Sequence, residues 1–270
     1  MDSSSANRRN PIARRRILRR ELAVRGAVSV AELSDILGAS AATIRRDLDA
    51  LAREGVLERA HGGAAARNLR PAEEALAVRE RKDIEEKQSI AHAAAGLLKS
   101  GDTVFMNDGS TIMAVARELA VAEVELFVVT SAVNVAHLLA ENSRLTVCLL
   151  GGFVRRSSLA TSGTFAETML EQFNADVALL SSDGFSLSEG LSYANADDAS
   201  VSRKMALRAK RCVALVTSPK FEWNARLTGV PIGEVDDLVT DAVPAGLHEE
   251  LAEAAISVIE APAMRAGQAA

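Results

Sequence analysis

Between residues 103 and 240 the chain alternates short apolar runs with segments of helical spacing, and this alternation limits its fold more than any other feature. The runs fall at 103–106, 126–130, 145–150, 177–181, 212–216 and 237–240. Strands buried on both faces read as continuous apolar stretches of this kind. Helical spacing follows to Leu119 and to Leu139, and again over about 164–172 and 199–209, with an earlier helix over 84–98. Strand and helix in turn specify a mostly parallel, Rossmann-like α/β sheet covered on both faces. The run at 237–240 reads as its last strand. Aromatic residues make up only 3% of the chain, so the core is expected to be built from Ala, Val and Leu.

A chain of 270 residues is long enough for two domains, and its charge divides it. Residues 1–70 carry 14 Arg and no Lys against 8 Asp and Glu, a net +6, whereas the remainder carries 17 basic and 28 acidic residues, a net −11. Either a module for a polyanion or a solvated Arg-rich face has this signature, so the local pattern must decide. Ile12, Ile17, Leu18, Leu22 and Val24 predict a helix from Pro11 to near Gly26. Val28-Ser29-Val30 reads as extended, with Ser29 capping a second helix that carries Leu33, Ile36 and Leu37 and stops at Gly38. A short turn leads to Ser40-Ala41-Ala42-Thr43-Ile44-Arg45-Arg46-Asp47-Leu48. Ser40 caps this third helix, while Ile44, Leu48 and Leu51 share one face. Ala41, Ala42, Thr43, Arg45 and Arg46 are left on the open side.

Two helices joined in this way form a helix-turn-helix, and a capped helix with small residues at its start and exposed Arg fits a DNA major groove. Arg45 and Arg46 are candidates for pairing with guanine or clamping phosphate, and both remain open; Asp47 is expected to orient an arginine. The strand 56–59, the turn His61-Gly62-Gly63 and a return over 64–66 make a wing that brings Arg59 and His61 to the DNA backbone. His61 filling the turn is the alternative. No partner ligand near it supports a metal. The expected organisation is a flexible arm (1–10), a winged helix-turn-helix domain (11–66), a linker (67–80), an effector-sensing α/β domain (81–262) and a flexible tail (263–270).

Several classes are disfavoured. No run reaches the ~18 apolar residues of a membrane span, and no signal-peptide core follows the N-terminal arginines. Cys148 and Cys212 sit in apolar strand-like runs and are expected to be structural thiols in a cytoplasmic protein. No Ser/His/Asp or Cys/His set, P-loop or GxGxxG fingerprint is present, so neither an enzyme nor a cofactor is expected.

Ligands of a parallel sheet bind beyond the carboxyl ends of its strands. Asp108-Gly109-Ser110-Thr111 joins a strand end to a helix N-terminus, where N–H groups and hydroxyls are placed to hold a phosphate. Thr130-Ser131 repeats the arrangement. Gly151-Gly152 allows close backbone approach and is followed by Arg155; Asp183-Gly184 offers a carboxylate and Lys220 a point charge. Singly, each also reads as an ordinary turn, cap or solvated charge; together at strand ends they predict one pocket.

Ser40-x-x-Thr43-Ile44-Arg45-Arg46-Asp47-Leu48 followed by His61-Gly62-Gly63 resembles the DeoR family of bacterial transcriptional regulators, and the resemblance runs from about Arg9 to Ala261. In the second half the matching pieces are Arg79, Lys87 with Ile90-Ala91, Asp108 to Thr111, Gly151-Gly152, Gly163, Lys220-Phe221 and Thr240-Asp241. The resemblance implies a sensor domain related in fold to ribose-5-phosphate isomerases and CoA transferases. It also implies a double-stranded DNA operator, a small phosphorylated metabolite as effector, a homo-oligomer, and repression of genes for sugar or polyol catabolism. Two positions depart from the family pattern: Ser131 stands where Asn is usual, and Thr217 where Asp is usual. A Glu usual near the start of the helix before the 212–216 strand has Asp197 and Asp198 as its nearest counterparts. Two other readings follow from these features: a constitutive DNA-binding regulator with a degenerate pocket, and an isomerase-like enzyme using Asp183 and Lys220.

Overall fold

The computed structural model describes residues 14–15, 17–18, 27–53, 57–60, 63–66, 76–221 and 223–261. The chain forms two compact units, Met1–Arg79 and Glu80–Ala270. In the first, β1 (Ala27–Ser29) leads into α1 (Val30–Leu37) and α2 (Ala41–Arg53), followed by β2 (Leu57–Ala60) and β3 (Gly63–Ala66). Val30, read as extended, instead opens α1, because Ser29 and Glu32 close a capping box one residue earlier. The Glu32 N–H donates to Ser29 Oγ at 3.2 Å and the Ser29 N–H to Glu32 Oε2 at 2.9 Å. Gly38, at φ 59°, ends the helix. β1 joins the wing hairpin as a third strand, in the order β1-β3-β2, all antiparallel. Gly63 permits this, since a Cβ there would lie 2.4 Å from the Val28 carbonyl oxygen. Leu18, Val28, Val30, Leu33, Leu37, Ile44, Leu48 and Leu51 form the core.

Of the helix expected over 11–26, Arg14, Arg15, Ile17 and Leu18 are helical and the rest lies outside the described residues, as do the expected arm and tail. His61, Gly62 and the side chain of Arg59 lie outside them too. Within the expected linker, 67–75 are likewise outside, and Leu76–Arg79 form one helical turn, α3.

The second unit opens with α4 (Ile84–Ala95). Its sheet has seven parallel strands: β4 (Thr103–Met106), β5 (Leu126–Thr130), β6 (Leu145–Leu149), β9 (Ala175–Ser181), β12 (Ala209–Val216), β14 (Asp237–Thr240) and β15 (Ser257–Glu260). The order is β15-β14-β12-β9-β4-β5-β6. α5 (Ser110–Ala120), α6 (Val133–Leu139), α7 (Thr164–Leu170), α8 (Ala196–Leu207) and α9 (Leu247–Glu253) connect them, and two apolar clusters, one including Phe105 and Leu180 and the other Met106 and Leu179, form the core.

The run at 237–240 is therefore not the last strand: α9 and β15 follow it, and β15 pairs in parallel with β14. As an edge strand with only half-buried apolar residues, Ser-Val-Ile-Glu lacks the continuous apolar signature of the inner strands. Two small antiparallel sheets also go beyond the sequence reading, a hairpin of β7 (Phe153–Arg155) with β8 (Ala160–Ser162) and a sheet of β10 (Gly184–Ser186), β11 (Gly190–Tyr193) and β13 (Leu227–Val230). Strands of three or four residues with Gly and Ser carry too short a pattern to stand out. The strand order reverses between β4 and β9, and this switch point is where a parallel sheet opens a crevice for a ligand.

Candidate functional site

The first candidate surface is α2. The Thr43 N–H donates to Ser40 Oγ at 3.3 Å, and the Ser40 and Thr43 hydroxyls lie 2.9 Å apart, so Ser40 does start this helix. Ile44, Leu48 and Leu51 are fully buried. Ala41, Ala42, Arg45 and Arg46 are exposed and Thr43 is half-buried. Asp47 is buried and holds arginines of the N-terminal helical segment: Arg14 Nε pairs with its Oδ2, and Arg15 Nε lies 3.5 Å from its Oδ1. The carboxylate thus ties α2 to the N-terminal helix and leaves Arg45 and Arg46 on the outer face.

The second is the switch point. Asn107, buried at the end of β4, donates from Nδ2 to the Ser181 carbonyl at 2.8 Å and to Ser202 Oγ at 3.0 Å. Its Oδ1 accepts from the Ser181 N–H at 3.0 Å, and Ser181 Oγ donates to the Asp108 carbonyl at 3.0 Å. Gly109 lies against this clasp at φ 122°, with Ser181 Oγ 2.7 Å from where a Cβ would stand. Ser110 and Thr111 form the buried first turn of α5, and Thr111 Oγ1 has no hydrogen-bond partner among the described residues.

Arg155 ends β7 and reaches the same place. Its Nη2 pairs with Asp198 Oδ2 in the first turn of α8 and lies 3.9 Å from Asp108 Oδ2, while its Nε and Nη2 donate to Ser158 Oγ at 3.2 and 3.0 Å. Burial, then the negative charge of Asp108, pushes the Asp198 carboxyl from 3.8 to about 7; Arg155 pulls the other way, and Asp183 adds to the rise. Two carboxylates, Asp198 and Asp108, therefore flank one guanidinium, and Asp183 is near enough for its charge to act on Asp198. Asp183 Oδ2 accepts from the Ala194 N–H at 3.0 Å, and Lys220 Nζ donates to the Ser182 carbonyl at 2.7 Å.

Of the residues singled out in the sequence, Asp108 and Arg155 meet at Asp198, Asp183 acts on Asp198 through its charge, and Gly109, Ser110, Thr111 and Lys220 lie on the loops at the strand ends. Thr130 and Ser131 are buried in the loop packing: Thr130 Oγ1 accepts from the Ala132 N–H at 3.1 Å, and the Ser131 carbonyl accepts from Thr161 N–H at 2.7 Å. Gly151 and Gly152 are exposed and lead into β7, with Gly152 at φ 138° against Ser162. Thr217 is buried, and beside it Asp241 accepts from the Ser218 N–H and hydroxyl, both at 2.7 Å.

Sequence reasoning missed Asn107, Ser181 and Ser202, and left Asp198 without a role. A local signal for Asp198 existed. Asn195 Oδ1 caps α8 by accepting from the N–H groups of Asp197 at 2.8 Å and Asp198 at 3.4 Å, which marks both acids as first-turn residues at a strand-to-helix loop. Among the described residues no helix is long and apolar enough to cross a membrane.

The model of the DeoR-like helix-turn-helix domain matches residues 14–69, and that of the DeoR C terminal sensor domain matches residues 82–242. The HTH-type transcriptional regulator GolR of Listeria innocua serovar 6a is 33% identical over 234 residues, 86% of this chain and 91% of that protein. The HTH-type transcriptional repressor CsqR of Escherichia coli strain K12 is 30% identical over 239 residues, 88% of this chain and 91% of that protein. Among solved structures, ribose 5 phosphate isomerase A from Neisseria gonorrhoeae matches at a TM-score of 0.39 and 15% identity, over 52% of this chain and 54% of that one. With a capped recognition helix in its first unit and a parallel α/β sheet in its second, and with both matched over most of their length, this chain belongs to the DeoR family of helix-turn-helix transcriptional regulators.

Proposed function

We propose that the protein is a homo-oligomeric repressor of genes for carbohydrate or polyol catabolism, released or modulated by a phosphorylated sugar or related metabolite. DNA contact is assigned to Ser40, Ala41, Ala42, Thr43, Arg45 and Arg46 of the recognition helix and to Arg59 and His61 of the wing. The effector is assigned to the crevice between β4 and β9. There the N–H groups at the start of α5 suit a phosphate, and Asp108, Asp183 and Asp198 suit sugar hydroxyls, with Arg155 and Lys220 as the cations. The observation that carries this reading is the meeting of Asp108, Arg155 and Asp198 at the switch point, within a chain whose other unit presents Arg45 and Arg46. The effector acts by binding the DNA-competent and DNA-free states with different affinity.

The reading is a sensor rather than an enzyme. Asp183 and Lys220, the pair that would serve as acid and base, are engaged with the Ala194 N–H and the Ser182 carbonyl. A second reading, a constitutive regulator with a degenerate pocket, is favoured by one observation: Arg155, the cation nearest the switch point, is engaged with Asp198 and lies 3.9 Å from Asp108. A thermal-shift panel of pentose, hexose and polyol phosphates, followed by gel shifts on DNA upstream of the adjacent genes, separates the two. At least one metabolite is expected to raise the melting temperature and change operator retention. A full panel without a shift supports the second reading.

A further inference from the structure

Among the described residues, nine large apolar side chains are exposed, and five of them, Leu149, Phe153, Val154, Leu159 and Phe165, lie on the β7–β8 hairpin and its two flanks. Phe153 and Phe165 are 78% and 69% exposed, with ring centroids 6.4 Å apart, so the hairpin and the first turn of α7 share one exposed aromatic pair, while Val154, the next residue of β7, is exposed on the hairpin's opposite face. Scattered exposed apolar residues are ordinary on a folded protein, whereas a cluster is informative. Leu159 adds a second signal. It is a non-glycine residue at φ 57°, a left-handed conformation that costs roughly 1 kcal/mol, and it carries its side chain at the surface. β7 also keeps one edge open, since among the described residues it pairs only with β8. No Lys or Pro lies on β7, Phe153-Val154-Arg155, to blunt that edge against pairing.

We propose that this hairpin is where a second copy of the chain docks, through a two-fold pairing of β7 with β7 that sets Phe153 and Phe165 of the two copies side by side on one face of the joined sheet and Val154 of the two copies on the other. Area supports this occupant. The two phenylalanines expose on the order of 300 Å², and with Val154, Leu159 and Leu149 the patch reaches roughly 500 Å². Covered on both faces of the hairpin and in both copies, this surface amounts to at most about 1,000 Å² before its polar rim, the lower limit for a specific interface. An open antiparallel edge also suits self-pairing, because a two-fold axis sets β7 of one copy antiparallel to β7 of the other. The inference rests on the homo-oligomer reading and gives it a surface. That surface joins the switch point through Arg155, which sits in β7 and binds Asp198 and Asp108.

The test is the mass of the full chain by light scattering and sedimentation, for the wild type, the double variant Phe153→Asp/Phe165→Asp, and the control Val121→Asp, which places a charge on an 84% exposed valine elsewhere. The double variant is expected to halve the mass of the wild type or raise its dissociation constant at least 100-fold, with unchanged circular dichroism, while the control keeps the wild-type mass. A folded double variant of wild-type mass overturns the proposed surface and leaves the oligomer reading standing. A monomeric wild type at about 50 µM overturns both. Wild-type hydrogen exchange over residues 152–156 needs no variant: amide protection is expected to rise with protein concentration, and concentration-independent exchange counts against the interface. DNA and effector binding are read separately by gel shift and thermal shift, so their failure is distinguishable from failure of this contact.

Discussion

Asn107 and Ser181 exchange two hydrogen bonds across the switch point, 74 residues apart in the chain: Nδ2 to the Ser181 carbonyl at 2.8 Å, and the Ser181 N–H to Oδ1 at 3.0 Å. The amide does with a side chain what the parallel ladder does with backbone, one step beyond the Met106–Leu179 pair. It therefore holds β4 and β9 in register where their loops carry Asp108 and Asp183.

Asn107→Ala removes both bonds and leaves the Ser181 backbone groups buried without partners, at roughly 1–3 kcal/mol for each unsatisfied group. The sensor unit is expected to lose about 3 kcal/mol, seen as a lower urea midpoint at unchanged m-value. A loss below about 1 kcal/mol is inconsistent with a buried reciprocal pair.

Asp47 is the carboxylate of a buried ion pair with Arg14. Asp47→Ala removes one carboxylate partner of the buried Arg14 guanidinium, and breaking a buried pair from one side costs up to about 3–5 kcal/mol. Chemical denaturation of the variant is expected to show the helix-turn-helix unit melting well before the sensor unit, whereas coincident wild-type-like transitions would contradict the role.

Arg45 and Arg46 are exposed and contribute little to the fold. Arg45→Ala/Arg46→Ala is expected to change stability by less than about 0.5 kcal/mol and to abolish operator retention in a gel shift. Removing an arginine that neutralises a phosphate also flattens the salt dependence of binding, by roughly one unit of slope for each such arginine. Retention equal to the wild type in the double variant removes α2 from the DNA interface.

Asp198 has a carboxyl raised from 3.8 to about 7 by burial and by Asp108, against the pull of Arg155. Between these values the folded chain holds a proton on Asp198 that the unfolded chain has released, so the contribution of this group to stability falls as pH rises from about 4 to 7 and then levels. Melting temperature measured over this window is expected to fall less steeply in Asp198→Asn than in the wild type. Parallel profiles for the two proteins would show that this carboxyl does not titrate there.

Local signals in the chain specify its elements and its first candidate surface. A Ser40 cap, an Ile44, Leu48, Leu51 stripe and a Gly38 stop are each read within one helix turn or two. The same holds for apolar runs such as 126–130 and 212–216, because a strand covered on both faces leaves no room for polar residues. The loops that carry Asp108, Arg155, Asp183 and Lys220 were legible for the same reason, as strand ends. Which of them meet is a matter of packing. Arg155 finds Asp198 43 residues away, and Asn107 finds Ser181, because β9 lies beside β4 rather than beside β6. Strand order is settled by how whole elements pack, not by the period of any one of them. The edge strand β15 and the hairpin bearing Phe153 escaped notice on the same ground, since a short, half-exposed strand takes its conformation from its neighbour and shows little of it in its own residues.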